Sequence, residues 1–209
     1  MAGPPSLRAL EAMSIFEKAT REAFATLHSI QSLEPVLECA AEAVGSALVN
    51  GGKLLVCGNG GSAADGADFA TEYACRFITD RRPYPAINLT GCGSLVTATG
   101  NDYGFEQVFA RQVRAFGKPG DVLVAITTSG NSANILAAIA AAKEAGLRTI
   151  SLLGRDGGRA HGLAEIELLV PSQITARTQE AHKFLLHVLC DIVETRWLLP
   201  QETNNKAGG

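Results

Sequence analysis

The feature that most constrains the fold is an alternation of short apolar runs and helical stretches that begins after Gly51-Gly52. Each run is bounded by turn-forming residues, which is typical of strands buried on both faces. The predicted strands cover residues 53–57, 86–89, 122–126, 149–153 and 166–170. The predicted helices between them cover residues 63–77, 95–99, 105–115 and 133–145. This β-α-β-α order predicts an α/β fold, a three-layer α/β/α sandwich around a five-stranded parallel sheet.

Further helical patterns lie outside this alternation. Apolar residues recur at helical spacing over residues 7–33, and a second stretch covers residues 35–49 with Pro35 in its first turn. A last helix is predicted over residues 178–199, before the polar tail QETNNKAGG. We therefore expect one domain over residues 1–200, in which two N-terminal helices precede the sheet, and a disordered tail over residues 201–209. The apolar face of the first helix suggests a partner subunit that covers it.

Composition and charge exclude several classes of protein. Hydrophobic residues make up 46% and charged residues 19% of the chain, as in ordinary globular domains. No apolar run reaches the roughly 18 residues that span a bilayer, and the first residues lack a basic segment followed by an apolar stretch. We expect a cytoplasmic protein with no membrane partner. The net charge of −3 and the dispersed basic residues also disfavour nucleic acid as a ligand.

Five cysteines are scattered along the chain without any Cys-x-x-Cys pair. This pattern favours neither a disulfide framework nor a thiolate zinc site. We expect most of these cysteines to be buried thiols.

Two predicted strands run into loops rich in glycine and hydroxyl side chains. The loops are Gly58-Asn59-Gly60-Gly61-Ser62 and Thr127-Thr128-Ser129-Gly130-Asn131-Ser132, and a helix follows each at once. Glycines let backbone N–H groups turn toward a ligand, and a helix N terminus adds unpaired N–H groups and a positive dipole end. Ligands of open α/β sheets bind at the carboxyl ends of the strands. The two loops together predict a site for a terminal phosphomonoester.

Two other interpretations of the loops stay open. Ser62 and Ser132 could serve only as helix caps. The pattern Gly58-x-Gly60-x-x-Ala63 also satisfies the dinucleotide fingerprint. That fingerprint needs an acidic residue at the end of the second strand, where this chain continues with 90–93, Thr-Gly-Cys-Gly. We therefore expect no nucleotide cofactor.

Candidate catalytic groups recur at four-residue spacing in two predicted helices. Asp68, Glu72 and Arg76 would share one face of the helix after the first loop, although such a triplet is also typical of a solvated surface. In the last helix the recurring residues are Gln179, Lys183 and His187.

The last helix contains two histidines, of which only one can face a given site. His182 and His187 are five residues apart, so their side chains point about 140° away from each other on an α-helix. Leucine and valine surround His187 in the sequence, so a core histidine is the alternative interpretation of this residue.

Four segments carry a resemblance to a known family. They are GNGGSAADGADFATEYACRF, RRPYPAINLTGCGSLVTATGNDYGFEQVF, VLVAITTSGNSANILAAIAAAKEAG and TQEAHKFLLHVLCDIVE. In this order and spacing they resemble the phosphoheptose isomerases of the SIS (sugar isomerase) domain family, over about residues 10–197. The TSGNS loop is typical of the SIS family as a whole. The GND motif and the QE-x-H-x4-H pattern indicate the phosphoheptose isomerases.

The resemblance implies an aldose-ketose isomerase that interconverts sedoheptulose 7-phosphate and D-glycero-D-manno-heptose 7-phosphate through an enediol. This reaction begins the synthesis of nucleotide-activated heptose for surface polysaccharides such as lipopolysaccharide or capsule. Glu72 matches the family's general base and His187 its general acid. The matched substrate-binding positions are Asn59, Gly60, Gly61, Ser62, Arg76, Asn101, Asp102, Thr127, Thr128, Ser129, Ser132 and Gln179. The resemblance also implies a homotetramer.

Two positions depart from the family's pattern. Asp68 stands where a histidine is expected one turn before the glutamate, and Ala176 stands where an aspartate is expected. The family's zinc ligands correspond to Asp68, Glu72, Gln179 and His187, so the resemblance allows a zinc ion at these residues. A zinc site with one imidazole is poorer in nitrogen than usual.

Two alternative functions follow from related SIS proteins. One is a non-catalytic protein that binds a sugar phosphate or a replication initiator, and the presence of Glu72 and His187 argues against it. The other is an isomerase of a different phosphosugar, such as an aminosugar phosphate, a pentose phosphate or another heptulose phosphate. The short single-domain chain with its long first helix favours an isomerase of a heptose phosphate over one of an aminosugar phosphate or a pentose phosphate.

Overall fold

The computed structural model describes residues 13–199. The beginning of the first predicted helix and the predicted tail therefore lie outside the described residues. Helix α1 (Ile15–Ser29) begins after Ser14, whose hydroxyl accepts a hydrogen bond of 3.1 Å from the Glu17 N–H. A short 3-10 turn leads into α2 (Glu34–Val49), which has a proline in its first turn as predicted.

The predicted alternation of strands and helices is confirmed. Its elements are β1 (Leu54–Gly58), α3 (Gly61–Ala74), β2 (Ala86–Asn88), α4 (Gly93–Tyr103), α5 (Ala110–Phe116), β3 (Val122–Thr127), α6 (Ala133–Glu144), β4 (Arg148–Gly154), β5 (Ile166–Val170) and α7 (Thr175–Val193). A π-helical turn, Glu194–Leu198, continues α7. All five strands pair in parallel in the order β2-β1-β3-β4-β5.

Successive residues of the central strands face opposite helical layers. Leu54 and Val56 of β1 pack with α2, α3 and α7, whereas Leu55 and Cys57 pack with α5 and α6. Side chains alternate between the two faces of a strand, so two-sided burial requires a continuous apolar run rather than an alternating one. The sheet is therefore the middle of three layers, and the three-layer prediction is confirmed.

Two predictions about local structure are wrong. Helix α3 ends at Ala74, because the backbone of Cys75 leaves the helical region (φ −107°, ψ −94°). Arg76 consequently lies beyond the helix that was predicted to carry it. The cysteines are also more exposed than expected: Cys57 and Cys190 are buried, whereas Cys39, Cys75 and Cys92 are exposed on a helix face and at helix ends.

Among residues 13–199, no helix combines the length and apolarity that crossing a bilayer requires.

Candidate active site

The first loop makes a tight turn between β1 and α3. A Cβ on Gly58 would lie 2.5 Å from the carbonyl oxygen of Ser62, so the turn closes only around a glycine. Gly60 has a positive φ of 56° and occupies the cap position of α3, with no side-chain capping bond. Ser62 already lies within the helix and is buried. Its hydroxyl is therefore not the helix cap.

The second loop places several hydroxyl groups at the carboxyl end of β3. Thr127 Oγ accepts a 3.2 Å hydrogen bond from the Gly130 N–H and lies 3.5 Å from Ser132 Oγ. Ser132 is the cap residue of α6, yet its side chain makes no capping hydrogen bond. Thr128 and Ser129 are half-buried between them. The loop thus presents hydroxyls that the helix itself does not use.

The second loop is supported from behind by the loop after β4. Gly130 has a φ of 64°, and a Cβ at this position would lie 1.8 Å from the carbonyl oxygen of Gly157. The Gly130 carbonyl accepts a 2.9 Å hydrogen bond from the Ala160 N–H. Only glycine permits this close approach, which holds the loop against its neighbour.

A pair of asparagines joins the two loops. Asn59 and Asn134 exchange two side-chain hydrogen bonds of 2.9 Å, one in each direction. Asn59 lies in the first loop, and Asn134 lies in the first turn of α6, where it is buried. The Asn59 amide thereby contributes to loop geometry as well as to the predicted ligand site. Asn134 was not predicted, although its position just after the TSGNS loop was the available signal.

Helices α3 and α7 bring the candidate catalytic residues together. A Cβ on Gly61 would lie 2.3 Å from Gln179 Nε2, so the Gln179 amide lies directly against the first loop. One turn further along α7, Lys183 Nζ lies 2.5 Å from Oδ2 of Asp68, which is two turns beyond Gly61 on α3. Another turn on, His187 Nε2 lies 3.4 Å from the same oxygen. The four-residue spacing in each helix therefore produces one continuous contact face.

Asp68, Glu72 and His187 form a compact cluster at the end of this face. One side-chain oxygen or nitrogen from each residue lies within 4.8 Å of the others. All three side chains are half-buried, so His187 is not a core histidine. The ring of Phe77 lies beside the imidazole, with 5.9 Å between ring centroids. The cluster combines two carboxylates and an imidazole, all partly open to solvent.

The two carboxylates of the cluster differ in acidity. Partial burial, together with the nearby negative charge of Asp68, raises the pKa of Glu72 above its ordinary value. The hydrogen bond from Lys183 lowers the pKa of Asp68 below its ordinary value. A carboxylate with a raised pKa is the stronger proton acceptor. Glu72 is therefore the better candidate for a general base.

Three matched positions lie apart from this cluster. Arg76 is exposed beyond the end of α3, and its guanidinium donates a 3.2 Å hydrogen bond to the Ile78 carbonyl. Asn101 and Asp102 are exposed on α4 and hydrogen-bond to each other at 2.7 Å. The turn that follows α4 contributes Phe105 and Glu106 to a shallow pocket shared with both loops. The remaining matched residues lie on the loops or on the α3–α7 contact face.

The core histidine of α7 is His182. It is fully buried, and its Nε2 lies 3.0 Å from the Leu153 carbonyl oxygen. A carbonyl only accepts, so Nε2 carries the proton, and Nδ1 is buried without a partner. Burial lowers the pKa of His182 from 6.5 to about 4. Helix α7 thus places one of its two histidines, His182, in the core and the other, His187, at the candidate site.

Acidification is expected to destabilise the fold through His182. His182 binds a proton near pH 6.5 in the unfolded chain but only near pH 4 in the folded chain. The contribution of the neutral, buried His182 to stability is therefore complete above pH 6.5 and is lost as the pH falls toward 4. This difference corresponds to about 3 kcal/mol of unfolding free energy. Urea unfolding at about pH 7.5 and at about pH 4.5 measures this effect. Between the two pH values the unfolding free energy should fall by about 2 to 3 kcal/mol more in the wild type than in His182→Gln. Parallel losses would contradict this account.

Comparisons with known proteins agree with the geometry. Residues 20–154 match the family model described as SIS domain. The chain is 49% identical over 166 residues to a phosphoheptose isomerase of Geotalea daltonii, covering 79% of this chain and 86% of that protein. It is 52% identical over 156 residues to one from Geobacter sulfurreducens, covering 75% and 82%. The solved phosphoheptose isomerase of Neisseria gonorrhoeae superimposes with a TM-score of 0.81 at 41% identity, covering 91% of this chain and 100% of that one.

Proposed function

Because the chain belongs to the phosphoheptose isomerases of the SIS domain family, we propose that it converts D-sedoheptulose 7-phosphate into D-glycero-D-manno-heptose 7-phosphate. This aldose-ketose isomerisation is the first step of nucleotide-activated heptose biosynthesis. The observation that carries the proposal is the Asp68, Glu72 and His187 cluster, which forms where α7 packs on α3. The first turn of α3 belongs to the first loop. The cluster offers acid–base groups close to a site suited to phosphate.

The two loops would hold the phosphate end of the sugar. Their hydroxyls and the helix N termini that follow them suit phosphate oxygens, and both loops lie at the carboxyl ends of neighbouring strands. Holding the C7 phosphate there fixes the other end of an extended seven-carbon sugar. Fixing the substrate in this way replaces a random encounter by an oriented approach of C1 and C2 to the catalytic groups.

The isomerisation proceeds in two steps, formation and collapse of the enediol, and each step needs two proton transfers. The Glu72 carboxylate removes a proton from C1, the electrons of that bond form the C1–C2 double bond, and O2 takes a proton from His187. The enediol then loses the O1 proton to His187 while C2 takes the proton from Glu72. Both residues return to their starting states. The oxidation of C1 is balanced by the reduction of C2, so we propose no nucleotide cofactor.

The direct test is turnover of sedoheptulose 7-phosphate followed by NMR. We expect aldoheptose 7-phosphate to accumulate with wild-type protein and not with His187→Gln. Ribulose 5-phosphate and glucosamine 6-phosphate serve as comparison substrates. Saturable binding without turnover would favour a non-catalytic sugar-phosphate protein, and preferred turnover of another sugar would favour a different phosphosugar isomerase.

Removing the Ser132 hydroxyl is expected to weaken substrate binding. A hydrogen bond to a charged group contributes about 1.5 to 3 kcal/mol, so Ser132→Ala should raise KM by about 10- to 100-fold. Inhibition by inorganic phosphate should weaken in parallel, because the lost contact is to the phosphate. Ser151→Ala is the matched control, since its hydroxyl is buried in β4 without a partner. An unchanged KM in Ser132→Ala would remove this hydroxyl from the phosphate site.

Zinc fits the described residues poorly. Asp68 Oδ2 accepts a hydrogen bond from the Lys183 ammonium, so a cation on that oxygen would lie beside another positive charge. The cluster otherwise offers one carboxylate and one imidazole, with the Gln179 amide against Gly61. Protein zinc sites are usually richer in nitrogen or sulfur. We derive no step of the reaction through a metal, and zinc on Asp68, Glu72, Gln179 and His187 stays a prediction.

We also propose that the enzyme is a homotetramer. Ile15, Phe16 and Phe24 of α1 are 90%, 81% and 71% exposed, and Phe184 of α7 is 50% exposed. Phe24 and Phe184 line one apolar groove between these helices. Exposed apolar surface of this kind is typical of subunit contacts. Light scattering on the purified protein measures the number of subunits.

The remaining expectations are proposals of the same kind. They are a single domain over residues 1–200, a cytoplasmic location, a small sugar phosphate as a partner, and no partnership with nucleic acid or a membrane. The continuous five-stranded sheet and the shared helical layers support one domain.

A further inference from the structure

Lys183 lies inside the group of carboxylates on α3. Its ammonium is 2.5 Å from Asp68 Oδ2 and 3.5 Å from Asp65 Oδ1. The Lys183 side chain is 33% exposed, that of Asp68 is 42% exposed and that of Asp65 only 14% exposed. Glu72 belongs to the same helix and the same cluster. Three carboxylates therefore crowd one helix face, and the Lys183 ammonium contacts two of them.

An ordinary surface ion pair does not account for this arrangement. Surface pairs join two mobile side chains in water and contribute little. Here the lysine spans two helices and contacts two carboxylates that α3 places one turn apart. Without a cation, like charges at this spacing would repel one another. The ammonium thus supplies the positive charge that holds these carboxylates in one geometry.

Asp68 connects Lys183 to the candidate acid. The same oxygen, Asp68 Oδ2, is 2.5 Å from Lys183 Nζ and 3.4 Å from His187 Nε2. The position of that oxygen therefore influences the orientation of the imidazole. The Lys183 ammonium holds the Asp68 carboxylate in place, and the Asp68 carboxylate in turn orients the His187 imidazole.

We propose that Lys183 is the resident cation of this cluster and a positioning residue that fixes Asp68 against His187, so that the site operates without a divalent metal. Lys183 acts through Asp68 and does not itself transfer a proton. The inference deepens the proposed isomerase function and rests on it. It also disagrees with the zinc site that the family resemblance allows, because the ammonium already contacts the Asp68 oxygen that faces His187, and a zinc ion there would lie beside that positive charge.

Kinetics of Lys183 variants test the positioning role. Lys183→Met should lower kcat by about 10- to 100-fold with a small change in KM, because a misplaced catalytic group costs rate more than binding. Lys183→Arg keeps the positive charge and should lose less than Lys183→Met. Lys143→Met, exposed on α6, is the matched control and should keep wild-type kcat. Circular dichroism checks that each variant is folded. A wild-type kcat in Lys183→Met would overturn the proposal.

Two measurements are independent of turnover. Wild-type protein exposed to zinc and then passed over a desalting column should carry no stoichiometric zinc by atomic emission. The imidazole NMR signals of His187 should shift in Lys183→Met and not in Lys143→Met. One zinc per chain, or unchanged His187 signals in Lys183→Met, would overturn the inference. If sedoheptulose 7-phosphate is not turned over, these two measurements still decide the role of Lys183, while the absence of turnover counts against the proposed function alone.

Discussion

Replacing Glu72 by glutamine is expected to lower kcat for the isomerisation by about 10²- to 10⁴-fold with little change in KM. Glutamine keeps the size of the side chain but cannot accept a proton from C1. The Glu72 side chain is half-buried and belongs to the Asp68–His187 cluster, so the change removes a proton acceptor without opening a cavity. Product formation by NMR gives kcat, and in deuterated water the loss of the C1 proton signal reports proton abstraction directly.

A matched control separates this effect from a general loss of charge. Glu144→Gln removes a carboxylate from the exposed end of α6, where it pairs with Arg114 at 3.5 Å. It should retain wild-type kcat and proton exchange. Should Glu72→Gln keep more than about a tenth of the wild-type kcat, general base catalysis by this residue would be ruled out. Asp65 and Asp68 would then be the nearest carboxylates to examine.

Replacing Glu194 by glutamine is expected to cost about 3 to 5 kcal/mol of unfolding free energy, the range for breaking a buried ion pair. Glu194 and Arg81 pair at 2.9 Å, and both side chains are only 4% exposed. The carboxylate also accepts hydrogen bonds from the backbone N–H groups of Ile78 and Thr79 at 3.1 and 2.8 Å. Glutamine would leave the Arg81 charge buried and would present an N–H group where only acceptors are needed.

The Arg81–Glu194 pair also stabilises the C-terminal end of α3, the helix that carries Glu72. Arg81 donates hydrogen bonds to the backbone carbonyls of Glu72 and Tyr73, at 2.8 and 3.2 Å. Urea unfolding measures the loss of stability. Glu38→Gln is the matched control, because Glu38 pairs with Arg196 on the surface with side chains 37% and 58% exposed. That control should lose less than about 1 kcal/mol. Equal losses in the two variants would show that burial of the Arg81–Glu194 pair has no special effect.

The element order and the loops were predictable because both depend on local chemistry. Strands buried on both faces require continuous apolar runs, and tight turns at their ends require glycine, as at Gly58 and Gly60. The end of α3 was not predictable in the same way. Residues 75–77 are not helical. The chain turns there, and the Phe77 and Ile78 N–H groups donate hydrogen bonds to the carboxylate of Glu194, more than one hundred residues away in the sequence. The helix boundary that leaves Arg76 outside α3 thus coincides with contacts to a distant carboxylate, which no local sequence pattern reveals.

The sequence by itself determined the three-layer α/β order, the two glycine- and hydroxyl-rich loops, and the family to which the chain belongs, because periodicity, turn residues and motif spacing are local properties. Only the tertiary structure decided which residues meet. The Asn59–Asn134 pair is 75 residues apart in the chain, and the Lys183–Asp68 pair is 115 residues apart. The packing of α7 on α3 turned His187 toward the carboxylates and His182 into the core. Helical spacing shows that two side chains share a face, but the neighbouring helix determines what that face contacts.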